Sequence, residues 1–94
     1  MTHRVAITGL GVVDPFGVVL DNFFDKLCGG VSCVQQYVTE DKPIPISMPA
    51  VLCDQFDSIA KLGKPLTNSM DRHAQLGVSA AFDAWEQAGF DRSL

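Results

Sequence analysis

Two glycines near the start of the chain, Gly9 and Gly11, have a spacing that could bind a phosphate. A Gly-x-Gly-x-x-Gly turn that opens directly into a helix binds the pyrophosphate of a dinucleotide. The third position here is Asp14, whose carboxylate would repel phosphate, and Pro15 disfavours helical backbone at Asp14. The spacing therefore favours backbone geometry and close packing for Gly9 and Gly11, with NAD or NADP binding as an alternative.

Five further residues could support nucleophilic or metal chemistry, namely Cys28, Cys33, Cys53, His3 and His73. An odd number of cysteines without Cys-x-x-Cys spacing argues against a disulfide framework and a zinc site. Sequence distance leaves a Cys–His pair open, but each cysteine has an ordinary structural context, in which buried thiols are common. We therefore predict structural roles for the three cysteines and no metal site.

Composition limits the class of protein. The 94 residues suffice for one small domain, and 47% hydrophobic with 19% charged residues exclude a disordered chain. A net charge of −4 does not indicate a basic surface that would bind the phosphates of a nucleic acid. The sequence shows neither a membrane span nor a signal peptide, which predicts a cytoplasmic location.

The elements that must position these residues begin with a predicted strand. Residues 5–8 are apolar on both faces, as in a buried central strand, and residues 9–17 form a loop. Apolar residues at i, i+3, i+4 and i+7 predict a helix over Leu20–Cys28, which Gly29 and Gly30 end. Prolines punctuate residues 31–66, where short extended pieces are predicted near 31–38 and 49–53.

The final predicted helix covers residues 68–88, with Thr67, Asn68 and Ser69 as candidate N-caps and Gly89 as its end. Small residues dominate its middle, which predicts close approach to a neighbour and burial on more than one side. A buried-type strand also needs strands on both sides, and this chain offers few. The pattern therefore predicts the opening segment of a larger α/β protein.

Three motifs in register resemble the β-ketoacyl-acyl-carrier-protein synthases of the thiolase-like superfamily. The strand and its loop, residues 5–17, resemble the family's opening Thr-Gly-x-Gly-x-x-x-Pro-x-Gly segment. An aromatic-x-x-Leu-x-x-Gly-x-Ser pattern and a Met-Asp-Arg-aromatic-x-Gln segment are the other two. They are matched here by Phe24, Leu27, Gly30 and Ser32, and by Met70, Asp71, Arg72, His73 and Gln75. The discrete elongating kind, 3-oxoacyl-acyl-carrier-protein synthase II, is the most similar, and polyketide ketosynthases share the opening.

The resemblance implies a fold class and a reaction. The fold class is α/β, an incomplete N-terminal part of a thiolase-like α/β/α sandwich, with one buried strand, short extended pieces and two helices. Residues 1–94 would then be the N-terminal segment of a ketosynthase domain. The reaction is the decarboxylative Claisen condensation of acyl and malonyl-acyl carrier protein, catalysed by a cysteine thiolate and two histidines. Both fatty-acid and polyketide chain extension fit this implication.

In the family the nucleophile lies in a later Thr-Ala-Cys-like segment, which none of the three cysteines matches. The resemblance therefore implies an acyltransferase as the parent and an inactive fragment here, with no catalytic, cofactor-binding or metal residue. Implied partners are acyl carrier protein, the remainder of the ketosynthase and, in the full-length family, a second copy in a homodimer. A small stand-alone interaction or scaffold domain without catalysis is the alternative.

Basic residues before the Met-Asp-Arg segment often meet the acidic carrier protein in this family. Lys61, Lys64 and Arg72 are the basic residues in and beside the corresponding stretch of this chain. We interpret them either as a weakened docking patch for the carrier protein or as an ordinary solvated surface.

Overall fold

Short helices and one small sheet follow each other along the chain in the computed structural model, which describes residues 2–40 and 43–91. In chain order the elements are α1 (Leu20–Cys28), β1 (Gln35–Val38), β2 (Ser47–Ala50), α2 (Ser58–Leu62), α3 (Lys64–Asn68) and α4 (Arg72–Gln87). The mixture of helix and strand agrees with the α/β class expected from the sequence.

Residues 5–8 do not form the predicted buried strand. They carry no strand hydrogen bonds, and Val5 and Ile7 expose 92% and 82% of their surface. A strand is stabilised by its neighbours, and the described residues provide no strand beside this one. The prediction of one buried strand is therefore wrong for this chain.

The first predicted helix is confirmed at both ends. Helix α1 covers Leu20–Cys28, and Gly30, with φ of 67°, turns the chain out of it. The amide of Val31 then donates to the carbonyl of Lys26 at 3.0 Å. No residue of α1 is buried, so its apolar face is still largely in solvent.

Strands β1 and β2 pair antiparallel and form the one sheet of the described residues. β1 lies inside the extended piece predicted over 31–38, whereas β2 begins two residues before the piece predicted over 49–53. Every residue of the pair is exposed except Ala50, which is half-buried.

Helices α2 and α3 are absent from the sequence prediction, which gave two helices where the described residues have four. Each has five residues, too few for a helical pattern to show. The Asp57 side chain accepts from the amide of Ala60 at 3.1 Å and starts α2. Gly63, with φ of 85°, then separates the two helices, and Pro65 lies in the first turn of α3.

Helix α4 begins at Arg72 rather than at residue 68 because Thr67 and Asn68 belong to α3. Its N-cap position is therefore Asp71, and the predicted caps Thr67, Asn68 and Ser69 are wrong. The helix ends as predicted, with Ala88 as C-cap followed by Gly89 at φ of 91°. Ser79 is its one buried residue, so the expected burial on more than one side is also wrong.

The described residues contain no buried apolar side chain. The accessible surface is 7278 Å², whereas a compact monomer of 10.2 kDa exposes about 5300 Å². The radius of gyration is 16.8 Å, against about 12 Å for a compact domain of this length. The chain therefore exposes the apolar surface that a larger protein would bury.

Candidate functional site

The guanidinium of Arg72 joins the start of α4 to the segment before α2. One of its terminal nitrogens donates to the carbonyls of Cys53 and Phe56 at 2.8 and 2.9 Å. The other donates to the hydroxyl of Ser58 at 2.8 Å. The guanidinium also lies over the ring of Phe56, 5.3 Å from its centroid. The planar fork of arginine suits this set of acceptors, which the compact ammonium of lysine could not reach together.

Gln75 extends these contacts to α3. The hydroxyl of Ser58 donates to its Oε1 at 2.5 Å, and its Nε2 donates to the carbonyls of Thr67 and Met70 at 3.1 and 3.0 Å. Arg72 and Gln75 are three residues apart, which places them on one face of α4. Arg72, Ser58 and Gln75 are called the Arg72 cluster below, and they fix α2 and α3 against α4.

The Gly-x-Gly turn packs directly on α4. A Cβ at Gly9 would lie 1.9 Å from the carbonyl oxygen of Ala84, and one at Gly11 would lie 1.9 Å from that of Ala80. The amide of Leu10, between them, donates to Oε1 of Gln87 at 2.6 Å. The prediction that Gly9 and Gly11 serve close packing is confirmed, because no other residue type fits against this helix.

Asp14, the residue that interrupts the glycine motif, is buried in the turn that follows. Its Oδ1 accepts from the amide of Phe16 at 2.7 Å, and Asp14 and Gly17 exchange backbone hydrogen bonds. Asp14 is 8% exposed, and its Oδ2 has no partner among the described residues. Asp14 therefore shapes the turn, with one oxygen left unsatisfied in this chain.

The three cysteines differ in exposure, with Cys28 exposed and Cys33 and Cys53 half-buried. Burial raises the pKa of the Cys53 thiol, the nearby Asp14 carboxylate raises it further, and Arg72 opposes both effects. A nucleophilic cysteine needs a lowered pKa, so the environment of Cys53 favours the unreactive thiol. His73 is exposed in the first turn of α4, and His3 is exposed near the N-terminus.

The three residues predicted to dock a carrier protein have different surroundings. Lys61 forms an ion pair with Asp83, with 2.6 Å between Nζ and Oδ1. Arg72 belongs to the Arg72 cluster and is exposed, and Lys64 is exposed at the start of α3. Lys61 and Lys64 flank Gly63, and of these two lysines Lys64 is exposed and Lys61 is half-buried.

Other kinds of site were sought in the described residues as well. Residues 2–40 and 43–91 hold no group of three or more His, Cys, Asp or Glu side chains placed to bind a metal ion. Within the same ranges, no helix has the length and apolar character needed to cross a membrane.

The family model described as "Beta-ketoacyl synthase, N-terminal domain" matches residues 2–94. The chain belongs to the β-ketoacyl synthase family. A protein of Streptomyces cyaneus named as polyketide beta-ketoacyl synthase 1 is 37% identical over 92 residues, which cover 97% of this chain. A 3-oxoacyl-[acyl-carrier-protein] synthase 2 of Coxiella burnetii is 33% identical over 90 residues, or 95% of the chain. No solved structure matches the chain.

This β-ketoacyl synthase chain spans 22% of the length of each of these relatives. The match to the family model and to these relatives confirms the family resemblance seen in the sequence. The Met-Asp-Arg-aromatic-x-Gln motif contains two members of the Arg72 cluster, a role that the sequence reasoning missed. Their spacing of three residues on a helix was the available signal, but it gave no indication of Ser58 as the third member.

Proposed function

We propose that residues 1–94 form the N-terminal segment of a β-ketoacyl synthase that extends acyl chains in polyketide or fatty-acid synthesis. The match of the family model to residues 2–94 carries this proposal. In the proposed reaction an acyl group is held as a thioester on a cysteine, and malonyl-acyl carrier protein loses carbon dioxide. The resulting carbanion attacks the acyl thioester, which forms the new carbon–carbon bond and releases the cysteine thiolate.

The proposed role of this segment is to support the fold of the synthase. Gly9 and Gly11 hold the N-terminal stretch against α4, while Val5 and Ile7 beside them expose most of their surface. Each such side chain gains roughly 1.5–3 kcal/mol on full burial. The remainder of the synthase is the partner we propose to bury them, with residues 5–8 as a strand of its sheet.

The proposed catalytic cysteine lies outside these 94 residues. The surroundings of Cys53 raise its thiol pKa, which is the reverse of nucleophile activation. A cerulenin-type electrophile tests this part of the proposal. We expect slow labelling of the cysteines, with exposed Cys28 ahead of Cys53, and rapid selective acylation of one cysteine would contradict it.

A chimera tests the proposed function as a whole. Residues 2–94 replace the matched segment of the Streptomyces cyaneus relative, and condensation of acyl and malonyl-acyl carrier protein is measured. We expect the chimera to retain activity within about tenfold of the parent, since the close contact of Gly9 and Gly11 with α4 is supplied intact. A folded chimera without activity would contradict the proposal.

Two variants of this chimera serve as internal controls. Gly11→Val places a side chain where 1.9 Å separates a Cβ from the carbonyl of Ala80, and we expect it to abolish assembly. Gly77→Ala adds a methyl group where nothing lies within 4 Å, and we expect no loss. Equal effects of both variants would show that the segment does not pack in the chimera as it does here.

We further propose that Lys61, Lys64 and Arg72 contribute to docking of the acidic acyl carrier protein. The exposed ammonium of Lys64 and the partly exposed Lys61 support this, because surface charges steer and orient a partner of opposite charge. In the chimera, Lys61→Glu with Lys64→Glu is expected to raise the KM for carrier protein and leave kcat unchanged. Asp83→Asn, which breaks only the ion pair of Lys61, is the control, and an unchanged KM in the double variant would contradict docking.

A further inference from the structure

The open end of the β1–β2 hairpin, opposite its connecting loop, brings two cysteines of this chain together. The register of the hairpin pairs Gln35 with Ala50 at this end, and no turn or bend interrupts residues 31–34 or 51–53 beyond it. Cys33 lies two residues before Gln35, and Cys53 lies three residues after Ala50. The register, continued along both segments, therefore makes the two cysteines diagonal neighbours that are one residue out of step.

The spacing of paired strands suits a bond between these two residues. Neighbouring strands lie about 4.8 Å apart, and each residue advances about 3.3 Å along its strand. An offset of one residue then separates the two Cα atoms by about 6 Å, which is inside the range of about 4.4–6.8 Å that a disulfide spans. Cys28 is exposed at the last position of α1 and lies outside the hairpin.

The regular strand pattern ends before both cysteines. In a regular ladder, side chains that are one residue out of step point to opposite faces. Here the amide of Val34 donates to the hydroxyl of Ser32 at 3.3 Å, and the carbonyl of Cys53 accepts from Arg72 at 2.8 Å. The backbone at the two cysteines therefore follows these local contacts rather than the alternation of a strand.

The electrostatics of Cys53 agree with a short separation. Burial is the largest cause of the raised pKa of the Cys53 thiol, and the charges of Asp14 and Cys33 raise the pKa further. Exposed charges are largely screened beyond about 8–10 Å at ordinary ionic strength. An effect of Cys33 on Cys53 therefore requires that the two half-buried sulfurs lie near each other.

We propose that Cys33 and Cys53 form a reversible disulfide that closes the open end of the hairpin. In exchange with glutathione disulfide, the thiolate of one cysteine attacks a glutathione sulfur, forms a mixed disulfide and releases one glutathione thiolate. The thiolate of the other cysteine attacks the protein sulfur of this mixed disulfide and releases the second glutathione. The two cysteines lose two protons and two electrons, and glutathione disulfide is reduced to two molecules of glutathione.

The bond adds a covalent constraint to a part of the chain that has little support. A two-stranded hairpin is marginal in water, and the bond removes conformational freedom from its open form. Both sulfurs belong to this chain, so the bond needs no surface from the remainder of the synthase. In a reducing compartment such bonds form transiently and sense oxidants, so the pair is an oxidation-sensitive site in the segment.

Disulfide mapping of the 94-residue chain in glutathione redox buffers tests the proposal. Free thiols are blocked with N-ethylmaleimide, and a glutamyl endopeptidase cleaves after Glu40, between Cys33 and Cys53. Mass spectrometry should find these two peptides joined and Cys28 blocked. In concentrated guanidinium chloride we expect mainly Cys28–Cys33, because the shorter loop closes at a lower entropic cost. A native preference for the longer loop therefore reports the folded hairpin.

Two serine variants separate the proposed pair from the third cysteine. Cys28→Ser should leave the yield of the Cys33–Cys53 bond unchanged, whereas Cys33→Ser should lower the yield of internal disulfide at least about tenfold. Amide hydrogen exchange in β1 and β2 should slow on oxidation of the Cys28→Ser chain and stay constant in Cys33→Ser. A Cys28–Cys33 bond as the main native product would overturn the proposal, whether or not the synthase proposal holds. Glutathione adducts without an internal bond would overturn it equally.

Discussion

Two regions of the chain use opposite means of stabilisation. The Arg72 cluster fixes α2 and α3 to α4 through charged and polar hydrogen bonds, all made within this chain. Residues 2–8 are all exposed and include apolar side chains with little cover, with Val5 at 92% and Ile7 at 82% exposure. The first region is complete by itself, whereas the second needs surface from elsewhere.

The difference shows which interactions a partial fold can keep. A hydrogen bond between a side chain and a nearby backbone group needs only a few ordered residues, so the Arg72 cluster forms without a core. Hydrophobic stabilisation scales with the area removed from water, and the described residues bury no apolar side chain. Polar contacts therefore hold together the part of this segment that packs without a hydrophobic core.

The largest effect is expected from Arg72→Met. It removes the hydrogen bonds to Cys53, Phe56 and Ser58 and should lower the free energy of opening of α4 by about 2–3 kcal/mol. Amide hydrogen exchange across α4 measures this free energy. His73→Met, at the exposed neighbouring residue, is the control and should change it by less than about 0.5 kcal/mol. Equal protection in both variants would show that the Arg72 cluster does not stabilise the helices.

Gly11→Ala tests the contact that joins the two regions. The added Cβ would lie 1.9 Å from the carbonyl of Ala80, so the N-terminal stretch must separate from α4 at a cost of about 1–3 kcal/mol. Gly77→Ala is the matched control, and it should stabilise α4 by about 0.5–1 kcal/mol because the site is open. Thermal unfolding followed at 222 nm compares the two, and a stabilising Gly11→Ala would contradict the packing.

Ser79→Ala tests whether a buried hydroxyl without a hydrogen-bond partner destabilises α4. The hydroxyl of Ser79 is fully buried and has no partner among the described residues, so its removal should stabilise the helix by about 1 kcal/mol. Ser58→Ala is the opposite case, since the buried hydroxyl of Ser58 bonds to both Arg72 and Gln75. Thermal unfolding should show a rise in stability for Ser79→Ala and a fall for Ser58→Ala. Changes of the same sign would mean that the burial of the hydroxyl, rather than its hydrogen bonds, determines the effect on stability.

The smallest effect is expected in the N-terminal region. Val5→Ser with Ile7→Ser should change the free energy of opening of α4 by less than about 0.5 kcal/mol, because both side chains are exposed in this chain. The amides of residues 5–8 should exchange as in an unstructured peptide. Protection of these amides in the isolated chain would break the comparison, since it would require a partner strand that the described residues do not contain.

The sequence predicted α1 and the end of α4 because a helical apolar pattern and terminal glycines are local signals. It missed α2 and α3 because five residues are too few to show a period. The strand predicted at residues 5–8 is wrong for this chain, because strand pairing depends on neighbours that the described residues lack and composition alone does not supply them.

The candidate site was predictable only in part. Gly9 and Gly11 were assigned to close packing from their spacing, and the helix that they contact could be expected from its small residues. The ion pair of Lys61 with Asp83 joins residues 22 positions apart and depends on the turn at Gly63. No local pattern encodes such a contact, so the sequence could not distinguish Lys61, which forms an ion pair, from Lys64.

The contact between the N-terminal stretch and α4 also sets an order of events during synthesis. Leu10 and Gln87, which share a hydrogen bond, are 77 residues apart. At about 5–20 residues per second, the ribosome needs roughly 4–15 s to make the second after the first. For that interval Gly9 and Gly11 have no helix to pack against. The N-terminal stretch is therefore made first but is among the last parts of these 94 residues to be positioned.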